Sequence, residues 1–164
     1  MAKEGLLYQP HKSSLGGLDA NIMALLCYLA TGIIAWIPYV QYVAWLAPLI
    51  IYFVEKESPL VRFHAMQAFV IQAVVQAVNI VLSILMTILI PFWAADAVSF
   101  MFGLGGGIFS IIILLIKLII FAFEIVALVF EIIAIIKAYK YIAYPIPVIG
   151  GIAEKAAAKM PNIG

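Results

Sequence analysis

Charge is what this chain has least of. Only 10% of its 164 residues are Asp, Glu, Lys or Arg, against 67% that are hydrophobic. A soluble domain is about a quarter charged and about half apolar. A chain this size and this apolar cannot cover itself with polar surface, so the composition excludes a soluble globular domain and indicates an integral membrane protein. The net charge of +1 is too small to suggest nucleic-acid binding. The single cysteine, Cys27, excludes an internal disulfide and reads as a small buried apolar residue. There are two histidines, His11 and His64, and no ligand cluster, so neither a metal site nor a cofactor is expected. The GLGGG run at 103–107 lacks the lysine and the strand–helix context of a phosphate loop and reads as an outer turn. No Ser-His-Asp or Cys-His arrangement is evident, and no enzymatic activity or small-molecule substrate is expected. The opening MAKEGLLYQPHKSSLGGL is too polar for the start of a signal peptide, and no small-residue cleavage site follows, so no cleavage is expected.

What the chain has is apolar blocks, at 20–54, 65–90 and 108–136. Spanning ~30 Å of hydrocarbon takes roughly 20 helical residues, so the second and third blocks each read as one spanning helix. Pro38 and Pro48 interrupt the first block, and Trp36, Tyr39, Tyr42 and Trp45 cluster there as at a headgroup interface. It reads as a hairpin of two short helices, about Leu18–Trp36 and Gln41–Val54. Lys56 and Arg62 in the linker 55–64, and Lys137, Lys140, Lys155 and Lys159 after the last block, mark cytoplasmic segments. The linker 91–107, with Asp96 and no basic residue, marks the outside. Lys3 and Lys12 prefer the inside as well, which requires an even number of crossings before residue 55. The expectation is an all-α membrane protein, a small transmembrane helical bundle of four crossings. Tails 1–17 and 137–164 are cytoplasmic and the residence is the bacterial inner (plasma) membrane. One long bent helix with the N-terminus outside is the alternative.

The segment FEIVALVFEIIAIIK at 123–137 repeats a seven-residue phrase and places Glu124 and Glu131 in one stripe with Lys117. A mid-membrane charge costs ~2.5–3.5 kcal/mol on insertion scales, so Glu124 is expected to face protein or water. The preceding helix carries Gln72, Gln76, Asn79 and Ser83 on one side. An antiparallel register sets Glu131 level with Gln72, Glu124 with Asn79, and Lys117 near Ser83 and Thr87. Two readings stand: polar rungs that hold two helices together, or a proton or cation path through Glu124.

The linker EKESPLVRFHAMQ, 55–67, closely resembles the signature of the Tic20-like, DUF4870 (UPF0132) family of small membrane proteins. GLDANIMALLCYL at 17–29 and AYPIPVIGGIAEK at 143–155 resemble that family's opening and closing segments. The resemblance implies a helical membrane protein and little chemistry: one relative belongs to the chloroplast inner-envelope import machinery, and others to specialised bacterial membranes such as magnetosomes. The longer first block and the enlarged 91–107 linker depart from the family's pattern. Read from its residues, the motif suits a membrane interface. Ser58 can cap a helix that opens at Pro59, and Glu55 and Glu57 lie at that helix's positive end. Arg62 can reach a phosphate or a carboxylate, with Lys56 nearby, and His64 and Gln67 are helix neighbours. Glu55, Lys56, Arg62, His64 and Gln67 are therefore the expected partner or interface motif. A non-enzymatic accessory, scaffold or assembly subunit, bound to the lipid bilayer and to other integral membrane proteins, is the leading functional expectation. A small transporter or channel is the second.

Overall fold

The structure is a computed structural model that describes residues 5–34, 36–105, 107–147 and 149–158. The expectations placed on Lys3, Lys159 and Pro161 lie outside these residues. Among the described residues there are five α-helices: α1 (Ala20–Ile34), α2 (Ala47–Val54), α3 (Pro59–Met101), α4 (Ile108–Tyr139) and α5 (Gly150–Ala157). Two 3₁₀ turns, Val40–Tyr42 and Ala44–Leu46, precede α2. A two-residue strand β1 (Leu6–Leu7) pairs antiparallel with β2 (Ile142–Ala143), Leu6 opposite Ala143. The fold is an all-α membrane bundle, with α3 and α4 long and apolar enough to cross a membrane and two shorter apolar helices beside them.

The described residues fall into two units. The first, here called the base, is the chain up to Ala73 together with the chain from Val129, and the second is the helical hairpin Val74–Leu128.

In the base, α1 packs on α2 and on the second 3₁₀ turn. Both α1 and α2 lie within the first apolar block, with residues 36–46 between them. That link exposes Trp36, Tyr39 and Tyr42, side chains that suit a headgroup layer. Trp45 turns inward instead and stacks on Phe69, ring centroids 5.8 Å apart. Cys27 is fully buried, its thiol donating to the Met23 carbonyl.

The segments expected as tails are structured. Residues 6–19 run along the base: Tyr8 N–H donates to Tyr141 O, Ser13 N–H to Leu18 O, and Lys12 pairs with Asp19 at 2.7 Å. After α4, Ile146 and Ala153 are buried in the same unit. Gly150 is required there, since a Cβ at this position would stand 2.4 Å from the Pro145 Cα.

The hairpin corrects the boundary of the outer linker. Residues 91–101 continue α3, with Pro91 inside the helix, and α4 begins at Ile108. Loss of one backbone donor at Pro91 is offset by what the continuation contributes. Asp96 Oδ2 accepts the N–H groups of Gly107 and Phe109 at 2.7 and 3.1 Å, satisfying donors that open α4. Phe92 stacks on Phe109 at 5.6 Å. Gly103, at φ +69°, closes α3 in the left-handed conformation that a helix C-terminus favours.

Candidate functional site

The motif 55–67 builds a buried polar latch in the base. The Glu55 carboxylate faces the start of α3 and is almost fully buried. Its Oε1 accepts the N–H groups of Ser14, Glu57 and Ser58 at 3.1, 2.9 and 2.9 Å, and the Ser14 hydroxyl at 2.8 Å. Its Oε2 accepts the Ser13 hydroxyl. Burial alone would raise this carboxyl's pKa. The bonds from Ser13 and from the N–H groups of Ser58, Glu57 and Ser14 outweigh that and hold it below the usual carboxylate range. Ser58 caps α3 as its sequence position implies, Oγ accepting Val61 N–H at 3.2 Å. That hydroxyl also meets His11 Nε2 at 2.7 Å, while His11 Nδ1 donates to Gln9 O.

One turn further along, α3 turns His64 and Gln67 inward. His64 Nε2 lies 3.1 Å from Ile142 O, and only a protonated nitrogen can bond a carbonyl. Nδ1 is then the acceptor for the Tyr28 hydroxyl at 2.9 Å. The Tyr28 oxygen in turn accepts from Gln67 Nε2 at 3.1 Å, and Gln67 Oε1 accepts Ile146 N–H at 3.1 Å. The bond directions are mutually consistent, so the network fixes the neutral His64 tautomer and ties α1, α3 and the segment after α4 together.

This geometry turns three of the five motif residues into the protein. Glu55, His64 and Gln67 are 1%, 0% and 0% exposed, so their side chains are committed inside the base. Five charged or polar groups on one short segment look like a surface in sequence. Here three of them, Glu55, His64 and Gln67, bond the N- and C-terminal segments, whose participation no periodicity announces. Lys56 is exposed, and Arg62 is half-buried with its guanidinium 4.6 Å above the Tyr52 ring, a cation–π contact. Tyr52 in turn donates to Ala156 O at 3.0 Å. The residues that sequence reasoning missed are Ser13, Ser14, His11 and Tyr28. A hint existed only for Ser13-Ser14, a hydroxyl pair opposite no obvious helix start.

The second constellation is the polar stripe. Gln72 Nε2 donates to Glu131 Oε1 at 2.5 Å, at the register expected. Glu124 and Lys117 are exposed, Gln76 and Asn79 are half-buried, and among the described residues no hydrogen bond joins Glu124 to Asn79. The expected second rung is therefore not formed within the chain. Along Val74–Leu128 no described residue is buried, so nothing presses the two side chains together as the base does at Gln72 and Glu131.

Among the described residues no group of three or more His, Cys, Asp and Glu converges on a metal-sized site.

The sequence profile of the magnetosome magnetite crystal formation protein family matches residues 19–153. A UPF0132 membrane protein of Methanocaldococcus jannaschii is 30% identical over 139 residues, covering 85% of this chain and 71% of that protein. No solved structure matches. The chain belongs to the magnetosome magnetite crystal formation protein family and is a membrane protein.

Proposed function

We propose that the protein is a non-enzymatic accessory or assembly subunit of a larger membrane complex, in which the base is the rigid platform and the hairpin is the element that meets other membrane proteins. The observation that carries this reading is the contrast along one stripe. Glu131 is satisfied inside the base, whereas Lys117 and Glu124 stand exposed on helices otherwise clothed in Leu, Ile, Val and Phe. A charge on such a surface costs several kcal/mol against lipid and is stable when protein covers it (~2.5–3.5 kcal/mol on insertion scales). The family's description, formation of magnetosome magnetite crystals, supports a role at a specialised membrane. The Tic20-like resemblance of EKESPLVRFHAMQ supports membership of an assembly in the same way.

The topology belongs to the same proposal. The short hairpin enters and leaves on one side and α3 and α4 cross, so both termini and the base motif face the cytoplasm of a bacterial inner membrane, with the link between α3 and α4 outside. Lys12, Lys56, Arg62, Lys137, Lys140 and Lys155 then share the inner side. Cysteine labelling in a Cys27→Ser background tests it: position 12 is protected from an impermeant reagent in intact cells, and labelling there from outside overturns the topology. The assembly role is tested by affinity purification in mild detergent. Wild type retains a defined set of membrane proteins that a Lys117→Leu/Glu124→Leu variant of equal abundance loses. An unchanged set overturns the role given to the hairpin.

A further inference from the structure

The hairpin unit has two unlike flanks. On α3, Gln76, Asn79 and Ser83 recur at helical spacing, and on α4 Lys117 and Glu124 lie one heptad apart. At ~100° per residue these five fall on one flank of the antiparallel pair. Val78, Val81, Ile119 and Phe123 line an apolar groove of about 430 Å³ on the other.

The unit's own contacts set the register. Phe92 stacks on Phe109, and Asp96 caps Gly107 and Phe109. Counting back along α3 and forward along α4 from the Phe pair puts Gln76 level with residue 125, Asn79 with residue 122 and Ser83 with residue 118. Glu124 thus lies at a height between two amides, and Lys117 beside a hydroxyl. Ser83 Oγ donates its proton to Ile80 O at 2.8 Å, which leaves its lone pairs free to accept. Donors and acceptors are matched in height, yet among the described residues they are not bonded to one another, and both charged side chains are exposed.

We propose that the occupant of this polar flank is a second copy of this chain, related by a two-fold axis along the membrane normal. Such an axis preserves height and exchanges left with right, so α3 of each copy meets α4 of the other. Glu124 then accepts from Gln76 and Asn79 of the second copy, and Lys117 donates to its Ser83. Each contact occurs twice, as an isologous interface requires. A different protein would need its own row of groups at these heights, whereas a second copy carries the complementary row by construction. The inference rests on the assembly role given to the hairpin and names its first partner.

The test uses the full chain, purified and reconstituted in lipid vesicles in a Cys27→Ser background. Thr87→Cys protein is mixed with Leu114→Cys protein before a short bis-maleimide is added, so that any product joining the two positions is intermolecular. The flank pair is expected to give a covalent dimer, and the groove pair Val81→Cys with Ile119→Cys is not. Glu124→Leu is expected to weaken the dimer about tenfold, on the scale of one or two interhelical hydrogen bonds. Glu124→Gln keeps it within about twofold, since an amide still bonds an amide. Cross-linking of the groove pair alone, or a monomer by native mass spectrometry at every concentration tried, overturns the proposal. A chain that is monomeric when pure but still retains its membrane partners sinks the dimer and leaves the assembly role standing. Loss of both sinks both.

Discussion

The base and the hairpin of this protein solve opposite problems. Every buried residue among those described lies in the base, including Ser13, Thr31, Glu55, Ser58, His64 and Gln67, while Val74–Leu128 buries none. In the base, the buried side chains of Ser13, Glu55, Ser58, His64 and Gln67 all have hydrogen-bond partners, and among the described residues Thr31 Oγ1 and Arg62 Nε are the buried polar atoms without one. In the hairpin, large apolar side chains such as Ile119, Phe121 and Leu118 are outside. Water would punish the hairpin, and lipid would punish the base if its latch were opened. The difference teaches that composition alone, apolar throughout, conceals a division of labour: specificity of fold is concentrated in a few hydrogen bonds in one unit, and the other unit is left as surface.

That division can be broken most severely at Glu55. Glu55→Ala strands three backbone N–H groups and two hydroxyls, and a loss of ~3 kcal/mol or more is expected from the unsatisfied donors. Thermal unfolding in mild detergent reads it, and an unchanged midpoint contradicts the latch. The same group gives a pH dependence of known sign. Its folded pKa lies below its unfolded value, so its contribution is fully present above the ordinary carboxylate range and is lost as pH falls through the lower folded value. Wild-type stability should therefore fall on acidification below about pH 4.5, and Glu55→Gln should flatten that limb.

Gln67→Leu is the next largest change. It removes the acceptor for Ile146 N–H and a donor to Tyr28 and Tyr144 O, for an expected cost of ~2 kcal/mol. Hydrogen exchange at the Ile146 amide should rise with it, while amides in 110–128 stay as they were. Acceleration spread evenly over both units would erase the distinction between them.

Asp96→Ala acts on the hairpin alone. Removing a helix cap of this kind costs about 1 kcal/mol, so exchange at Gly107 and Phe109 should quicken with the latch undisturbed. The smallest effect is expected for apolar exchanges on the outer surface. Leu118→Ile should stay within ~0.5 kcal/mol of wild type, as surface changes away from special features do. A large loss there would show that the surface is packed against something other than lipid.

How much of this was legible in the sequence divides along the same line. The hairpin's two long apolar helices were legible, because an apolar run above ~20 residues is enough to announce a helix long enough to span. The end of α3 was misplaced because Pro91 and Asp96 look like a loop, and the reason they are not, a carboxylate reaching across the turn to the next helix, is a tertiary contact. In the base, the Ser58–Pro59 helix start and the Gln72–Glu131 level were legible from local capping and from heptad spacing. The roles of Glu55, His64 and Gln67 were not, because their partners Ser13, Tyr28, Ile142 and Ile146 come from elements far apart in the chain. Strand pairing of two residues, Leu6–Leu7 with Ile142–Ala143, leaves no periodic signal at all.

The central claim is that protein covers the polar row on α4. Spin labels placed one at a time from 110 to 128, in a Cys27→Ser chain reconstituted in bilayers, measure it through collision with dissolved oxygen. The account predicts an oscillation of helical period, with minima on the side of Lys117 and Glu124 and maxima near Leu118 and Ile125. A profile in which positions 117 and 124 collide with oxygen as freely as 118 and 125 would contradict it, because the row would then face lipid uncovered.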